Sequence, residues 1–251
     1  TMKKPFAIIA LILINCCFVL AQSGQSKSSS PTATSKELSV QRAEAILRQA
    51  REAKGGEEKL KQVTDLTYSG NYITYNQSGT QKDALTMFLF RAQKIRTDVG
   101  INANGFDGKT AWFNDAPQGD RGAYETRRRA IREWFINLLT VPDTLKMSAI
   151  ALPDFELDGI PVAVIAVEIG ESKFKISFDK KTYLARRLSY GMMNGTEEME
   201  IVEVQEDYKT VGGIKFAHRQ IGLEQEKPAG EVVVKEYKIN SGVDPIKFTR
   251  K

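Results

Sequence analysis

The sequence predicts an α+β protein in which a curved antiparallel meander sheet is covered by about two main helices. Segments of β-rich composition follow one another over most of the chain, joined by short connections that contain Gly, Asn and Asp. Only two long stretches carry apolar residues at helical spacing. A meander of roughly ten strands is too large to stay flat, so we expect it to curl or to close.

The first 21 residues have the pattern of a secretory signal peptide. Lys3 and Lys4 give a basic start, residues 6–20 are apolar apart from Asn15, and residues 19–21 fit a cleavage site. A membrane-spanning anchor is the alternative. The apolar run is shorter than the ~20 residues that a span needs, and polar, Ser-rich sequence follows it, so we expect cleavage and export.

Both cysteines, Cys16 and Cys17, lie in this segment. A mature chain without them cannot form a disulfide, a thiolate metal site or a thiol nucleophile. A lipid-anchored form is less favoured, because neither cysteine follows the small residue that such signals use. Residues 22–36 are rich in Ser, Thr, Gln and Pro, which predicts a disordered linker over 22–38 and a folded domain over 39–251.

The charge balance argues against a nucleic-acid partner. The signal segment holds two of the 36 basic residues and none of the 31 acidic ones, so the formal net charge falls from +5 to +3 in the mature chain. Nucleic-acid binding needs a basic stripe. The one local cluster of positive charge fits either a solvated helix face or a contact to an anionic head group, and consists of Arg127, Arg128, Arg129 and Arg132.

Two helices are predicted. Ser39 is the expected N-cap of the first helix, which ends at Gly55 and Gly56 and is followed by a short helical turn over 57–63. The second helix covers 120–140, and Pro142 discourages its continuation. A broad apolar stripe on this second helix is formed by Ile131, Trp134, Phe135, Leu138 and Leu139.

The other periodic segments predict strands. Their connections carry hairpin residues such as Asp158-Gly159 and Gly212-Gly213. The predicted strands cover 66–75, 82–91, 94–99, 161–169, 173–178, 183–190, 197–206, 214–223 and 231–239.

Residues 108–110, Gly-Lys-Thr, match half of the phosphate-loop motif G-x-x-x-x-G-K-[ST]. The first glycine of that motif would stand at position 103, which is Ala103. A phosphate loop also opens a helix, whereas the residues that follow here favour a strand. Asp107-Gly108 is a two-residue hairpin signal, so we predict a hairpin that leads into a strand carrying Trp112.

Few residues suggest catalysis. His218 is the only histidine and lies in an alternating strand, where we expect it to be half-buried. One histidine without cysteine does not favour zinc, and no Gly-x-Ser-x-Gly elbow is present. The acidic groups at 154–158 and 197–200 lack the spacing of a calcium loop and fit turns and solvated faces. We predict a non-enzymatic protein with no cofactor or metal, and a hydrolase is the least favoured alternative.

Some strands are apolar on both faces, which is unusual for a sheet with one face in water. Residues 85–90, Leu-Thr-Met-Phe-Leu-Phe, are the clearest case, and 161–167 are similar. Such strands are covered by protein on both sides or line an apolar cavity, and both explanations stay open. A cavity between the sheet and the second helix would suit a non-polar ligand. The residues predicted to line it are Phe88, Phe90, Trp112, Ile131, Trp134, Phe135 and Leu138.

The order of several short motifs resembles the LolA-like group of outer-membrane lipoprotein-sorting and lipoprotein-binding proteins. The first helix ends in GGEEKLKQV, and LTYSG, FDGKTAWF, a helix, a run of hairpins, YKTVGGIKFAHR and VDPIKF follow, over residues 39–248. The resemblance implies an incomplete β-barrel whose open side is covered by helices and whose cavity holds acyl chains. It also implies an arginine on an early strand that latches the lid, for which Arg91 and Arg96 are the candidates. With Arg128 from the arginine cluster, they are the predicted head-group contacts.

Two functions of different classes follow. The first is a periplasmic, non-enzymatic carrier for lipids or acylated lipoproteins, monomeric and exchanging cargo with donor or acceptor proteins of the envelope membranes. Burial of acyl chains would drive binding at ~0.8 kcal/mol per CH₂. The alternative is a cell-envelope interaction or sensor module with a solid core and no lipid cargo, which would use sheet edges or the arginine cluster.

Overall fold

The structure, a computed structural model, describes residues 34–76, 79–194, 197–224 and 226–250. Residues 33–251 form one compact unit, and the other unit, 1–32, lies outside the described part, as do the predicted signal peptide and most of the predicted linker. The described residues form the helices α1 (Ser35–Lys54), α2 (Glu57–Lys61) and α3 (Gly119–Leu138) and a C-terminal 3₁₀ turn, Pro245–Phe248. None of these helices combines the length and apolarity that a membrane crossing requires.

The described strands form a single antiparallel sheet. They are β1 (Asp65–Asn76), β2 (Gly79–Phe90), β3 (Lys94–Val99), β4 (Asn102–Phe106), β5 (Ala111–Phe113), β6 (Ala116–Pro117), β7 (Met147–Leu157), β8 (Ile160–Ile169), β9 (Ser172–Asp179), β10 (Ala185–Asn194), β11 (Glu197–Val211), β12 (Ile214–Glu224) and β13 (Lys227–Ile239). Their order is β6-β5-β4-β3-β2-β1-β13-β12-β11-β10-β9-β8-β7, so two meanders join where the first strand pairs with the last. Because β6 and β7 remain edges, the sheet does not close into a full barrel. One antiparallel sheet with helices beside it is an α+β fold, so the predicted fold class is confirmed.

A hairpin is present at Asp107-Gly108, but Phe106 pairs with Ala111, so its loop has the four residues 107–110 and not two. β4 and β5 pair across it, and Asp107 Oδ1 accepts hydrogen bonds from the amides of Lys109 and Thr110. The Gly-Lys-Thr sequence is therefore a turn that leads into the strand of Trp112, as predicted. The element that directly follows it is the strand β5, not the helix that a phosphate loop opens.

The edge strand β7 was not predicted. Pro153 and two acidic residues interrupt its apolar alternation, and the ladder with β8 has a bulge between Leu152 and Phe155. Proline, charge and bulges are tolerated at sheet edges, where one side of the strand makes no ladder. The predicted count of roughly ten strands was low for this reason and because β6 is only two residues long.

The first helix begins at Ser35, four residues before the predicted N-cap Ser39. Thr34 caps it: Thr34 Oγ1 accepts a hydrogen bond from the amide of Glu37, and the Glu37 carboxylate accepts one from the amide of Thr34. This reciprocal pair is a capping box, which satisfies two backbone donors at once. Arg42 at the third position after Ser39 cannot complete such a box.

Helix α3 lies between the two halves of the sheet. It is buried on all sides from Ala130 to Leu138. Trp134 and Leu138 pack into an apolar cluster with β1–β5, and Ile131 and Phe135 into a second cluster with α1 and β8–β10. The space that the sheet encloses is therefore filled largely by this helix.

Candidate functional site

The centre of the concave face carries polar side chains between the two apolar clusters. We call this group the polar layer; it consists of Arg129, Arg132, Glu133, Tyr190 and Glu203. The Arg132 guanidinium lies 3.4 Å from the ring centroid of Tyr190, whose hydroxyl donates a 2.6 Å hydrogen bond to Glu203. The middle of α3 is held to the sheet by this contact of Arg132 with Tyr190 and by hydrogen bonds from Arg129 to Asn104 and Thr97, at 3.2 and 3.1 Å.

Burial in the polar layer changes the protonation of Glu133. Desolvation raises its pKa above the usual carboxyl value, and the negative charge of Glu203 raises it further. Arg129 and Arg132 oppose this effect, but desolvation dominates. Glu133 is therefore easier to protonate than an exposed glutamate.

His218 belongs to the core next to this layer. Its Nδ1 donates a hydrogen bond to the carbonyl of Val234 at 3.0 Å, and its ring meets Tyr237 edge-on at a centroid distance of 5.2 Å. The side chain is buried rather than half-buried. No nucleophile or carboxylate is among these contacts, which are those of a packed core histidine.

An open cleft of about 570 Å³ lies where α3 ends. The C-terminal end of α3 and the segment after it form one wall, the β2–β3 turn a second, and α1 with α2 a third. Its lining residues are Arg51, Glu57, Lys61, Val63, Thr64, Phe90, Arg91, Gln93, Trp134, Thr140, Val141, Pro142, Asp143 and Thr144. The cleft combines apolar surface from Trp134, Phe90 and Val63 with a charged rim.

Most charges on the rim are already paired. Arg51 Nε donates to the carbonyl of Leu139 at 2.9 Å, and its Nη1 lies 4.0 Å from Glu57. Lys61 Nζ lies 2.7 Å from Glu57, and this contact lowers the pKa of the Glu57 carboxyl. Arg91, by contrast, forms no ion pair within the described chain.

A second, smaller depression of about 400 Å³ lies on β8–β11. Charged side chains border it in pairs: Lys173 lies 3.0 Å from Glu168, and Lys175 lies 3.7 Å from Glu200. These pairs make it less suited to an acyl chain than the cleft beside α3.

The structure separates the predicted cavity residues into two groups. Ile131, Trp134, Phe135 and Leu138 all lie on α3 inside the sheet. Residues directly opposite each other in a ladder share a face. One such row runs from β2 to β5 and consists of Phe88, Arg96, Gly105 and Trp112. The neighbouring row packs with α3 and consists of Leu89, Ile95, Phe106 and Ala111. The row of Phe88 therefore lies on the opposite face of the sheet.

The C-terminal 3₁₀ turn covers this outer face. Phe248 is fully buried, its carbonyl accepts a 2.9 Å hydrogen bond from Trp112 Nε1, and its ring lies 6.3 Å from that of Phe90. The Lys247 side chain lies over Phe88. The prediction that Phe88 and Trp112 line one cavity with α3 is corrected: strand β2 is apolar on both faces because protein covers both. Phe90, at the end of β2, reaches the cleft.

The three predicted head-group arginines differ in availability. Arg96 donates to Asp98 at 2.8 Å and to the carbonyl of Lys247 at 3.0 Å, on the outer face. Arg128 is buried and donates to Glu125 and to the carbonyl of Gly191, both at 3.2 Å. Only Arg91 lines the cleft.

Sequence reasoning missed the contribution of α1 and α2 to the cleft. Arg51 and Lys61 stand more than 70 residues before Trp134 and Thr140, and no local pattern connects them. The only signal was the GGEEKLKQV segment, which places a helix end and charges together without saying what they face.

No family model and no curated protein matches the sequence. Solved structures match the fold. A domain assigned to outer membrane lipoprotein sorting from Vibrio parahaemolyticus has a TM-score of 0.51 at 12% identity, over 84% of this chain and 97% of that one. A LolA superfamily protein from Nitrosomonas europaea gives 0.51 at 10%, and a DUF1329 family protein from Desulfovibrio piger 0.50 at 8%, each over 82% of this chain and 97% of the other. The resemblance seen in the sequence is thereby confirmed in structure: the chain has the fold of LolA-superfamily proteins.

Proposed function

We propose that the protein is a non-enzymatic binding protein of the periplasm that holds an acyl chain of a lipid or lipoprotein in the cleft at the end of α3. The observation that carries the proposal is the cleft itself, in which Trp134, Phe90 and Val63 form apolar surface beside a rim of charged side chains. This combination suits an amphiphile, whose chain and head group have opposite requirements.

The cleft can supply useful affinity without deep insertion. Each buried methylene group contributes ~0.8 kcal/mol, so about ten of them provide about 8 kcal/mol, which corresponds to micromolar binding before ordering costs are subtracted. A longer chain needs more space. It would enter only if α3 moved away from one of its two apolar clusters.

Two further observations support this location and class. The signal-peptide pattern over residues 1–21 favours export. The fold is shared with a LolA superfamily protein and with a lipoprotein-sorting domain. We expect a monomer that exchanges cargo with donor or acceptor proteins of the envelope membranes.

The test is binding of a neutral fluorescent monoacylglycerol to the purified mature protein. We expect micromolar affinity, and at least a tenfold loss in Trp134→Glu and in Gln93→Trp. The second variant places a large ring in the cleft from an exposed position, so it does not disturb the core. Ile101→Trp is the matched control, because Ile101 is 99% exposed at the opposite end of β3.

Two results would contradict the carrier. One is that the wild-type protein binds no acyl probe and that native mass spectrometry of protein purified from the cell envelope detects no bound lipid. The other is unchanged affinity in Gln93→Trp, which would show that the cleft is not the site.

The second candidate is an interaction or sensor module without cargo. The filled interior favours it, since α3 is buried on all sides from Ala130 to Leu138. A lipid-free mass together with failure to bind the acyl probe is the outcome that this candidate predicts.

A further inference from the structure

We infer that the cleft selects amphiphiles whose head group is anionic, a carboxylate or a phosphate, and that Arg91 recognises that group. The inference rests on the proposed function, because it assigns a head-group chemistry to the same cleft. It comes from the backbone of the β2–β3 turn and from the pairing of charges around the rim.

The β2–β3 turn holds two side-chain-bearing residues in the left-handed region. Arg91 has φ 45° and Ala92 has φ 57°, and the amide of Gln93 donates to the carbonyl of Phe90 at 2.9 Å. Phe90 pairs with Lys94, so the loop has three residues, 91–93. Two consecutive positions in the left-handed region favour Asn-Gly, because other side chains are strained there.

Packing accounts for Ala92 but not for Arg91. Ala92 is 2% exposed and its methyl group belongs to the apolar cluster under Trp134. The Arg91 side chain is exposed, and its guanidinium carbon lies 5.6 Å from the centroid of the neighbouring Phe90 ring. The turn fixes the backbone of Arg91, as other turns of the sheet fix left-handed residues, but it leaves the Arg91 side chain free to meet a ligand in the cleft.

The other rim cations are engaged within the protein. Arg51 is bound to the carbonyl of Leu139, and Lys61 is paired with Glu57. Glu57 and Asp143 also line the cleft and repel an anion from their parts of the rim. Within the described chain, Arg91 is therefore the rim cation that remains for a ligand.

Hydrogen-bond donors near Arg91 fit the same chemistry. Gln93, Thr140 and Thr144 line the same cleft, and the side-chain amide of Gln93 and the two threonine hydroxyls are groups that can donate to an oxyanion. A guanidinium binds carboxylate and phosphate with two parallel hydrogen bonds. The acyl chain would then lie against Trp134 and the head group at the β2–β3 turn.

The experiment compares three acyl probes of equal chain length: palmitate, lysophosphatidic acid and neutral monopalmitoylglycerol. We expect the wild-type protein to bind the two anionic probes more tightly. Arg91→Gln should weaken both by about tenfold, the effect of one charge-assisted contact, and leave the neutral probe unchanged. Lys82→Gln is the matched control, an exposed lysine near the far end of β2, and should change none of the affinities.

A second variant tests whether the strained backbone of Arg91 serves ligand binding and not the stability of the fold. Arg91→Asn places a residue that tolerates the left-handed region, so it should raise the melting temperature while it removes the preference for anions. A lower melting temperature would show a structural role for Arg91 and overturn the inference. An equal loss of neutral and anionic probes in Arg91→Gln would overturn it as well.

The outcomes separate this inference from the proposed function. If the neutral probe binds and the anionic probes bind no tighter, only the head-group inference fails. If no acyl probe binds, the proposed function fails too. Inorganic phosphate is also tested as a competitor of the bound palmitate probe. If it displaces that probe at the same concentration as lysophosphatidic acid does, the site binds free phosphate, and the inference of an amphiphilic ligand is overturned.

Discussion

Replacing Lys54 by Met should stabilise the fold at neutral and mildly acidic pH. Lys54 lies in the last turn of α1 and is 4% exposed, with Nζ 5.5 Å from the ring centroids of Tyr208 and Phe216. Burial lowers its pKa from the ordinary value of 10.5 to about 7. The protein therefore carries an unfavourable buried charge whenever this amine is protonated.

The size of the effect follows from that pKa. A lowering from 10.5 to about 7 corresponds to about 5 kcal/mol, at about 1.4 kcal/mol for each pKa unit. The two aromatic faces return part of this, about 0.5–2 kcal/mol for each contact. We therefore expect Lys54→Met to gain about 3 kcal/mol at pH 6.

The direction in which stability changes with pH follows from the lowered pKa of Lys54. A depressed folded pKa means that the stability due to neutral Lys54 is complete above pH 10.5 and is lost as the pH falls through about 7. Urea unfolding at pH 6, 7.5 and 9 should show the gap between Lys54→Met and the wild type widening as the pH falls. Lys36→Met, at an exposed position of α1, should show no such trend. A gap that does not depend on pH would refute the assignment of a buried charge to Lys54.

Three other substitutions test separate parts of the fold. Because the folded pKa of Glu133 is raised, its stabilising contribution is present below the usual carboxyl value of 4.5 and is lost as the pH rises through the raised value. Glu133→Gln should therefore flatten the decline of urea midpoints as the pH rises above 4.5. Gly105→Ala should cost about 1–3 kcal/mol and red-shift tryptophan fluorescence, because its methyl group would stand 2.5 Å from Trp112 Cζ2. Asp65→Asn should cost about 1.5–3 kcal/mol and speed hydrogen exchange in the C-terminal segment, because the carboxylate accepts from the amide and hydroxyl of Ser241 at 2.8 and 3.0 Å.

The parts of the fold that the sequence predicted depend on short-range signals. Helix α3 was expected over 120–140 and is found at Gly119–Leu138, because a broad apolar stripe repeats along it. The hairpin at Asp107-Gly108 follows from the need for positive φ, and Gly108 has φ 101°. Each signal lies within a few residues of the structure that it specifies.

The parts that were not predicted depend on contacts between distant residues. The pairing of β1 with β13 turns one meander into two, and nothing local in either strand indicates it. Phe248 covers Trp112 from 136 positions away in the chain. The apolar outer face of β2 showed that a cover exists, but the short 3₁₀ turn that provides it has no periodic pattern of its own.

The polar layer limits where an acyl chain can lie. If α3 moved away from the centre of the sheet, Tyr190 would lose Arg132, and Glu203, its hydrogen-bond partner, would face hydrocarbon, which is costly for a charged group. On the side of α3 that faces β1–β5, Trp134 and Leu138 pack in an apolar cluster, whereas Arg129 donates hydrogen bonds to Asn104 and Thr97. A chain that enters at the cleft, next to the β2–β3 turn, can extend along Trp134 and Leu138 as far as Arg129, which β3 and β4 hold in place. The arrangement therefore favours displacement of only the C-terminal end of α3 from β1–β5, while the contact of Arg132 with Tyr190 persists.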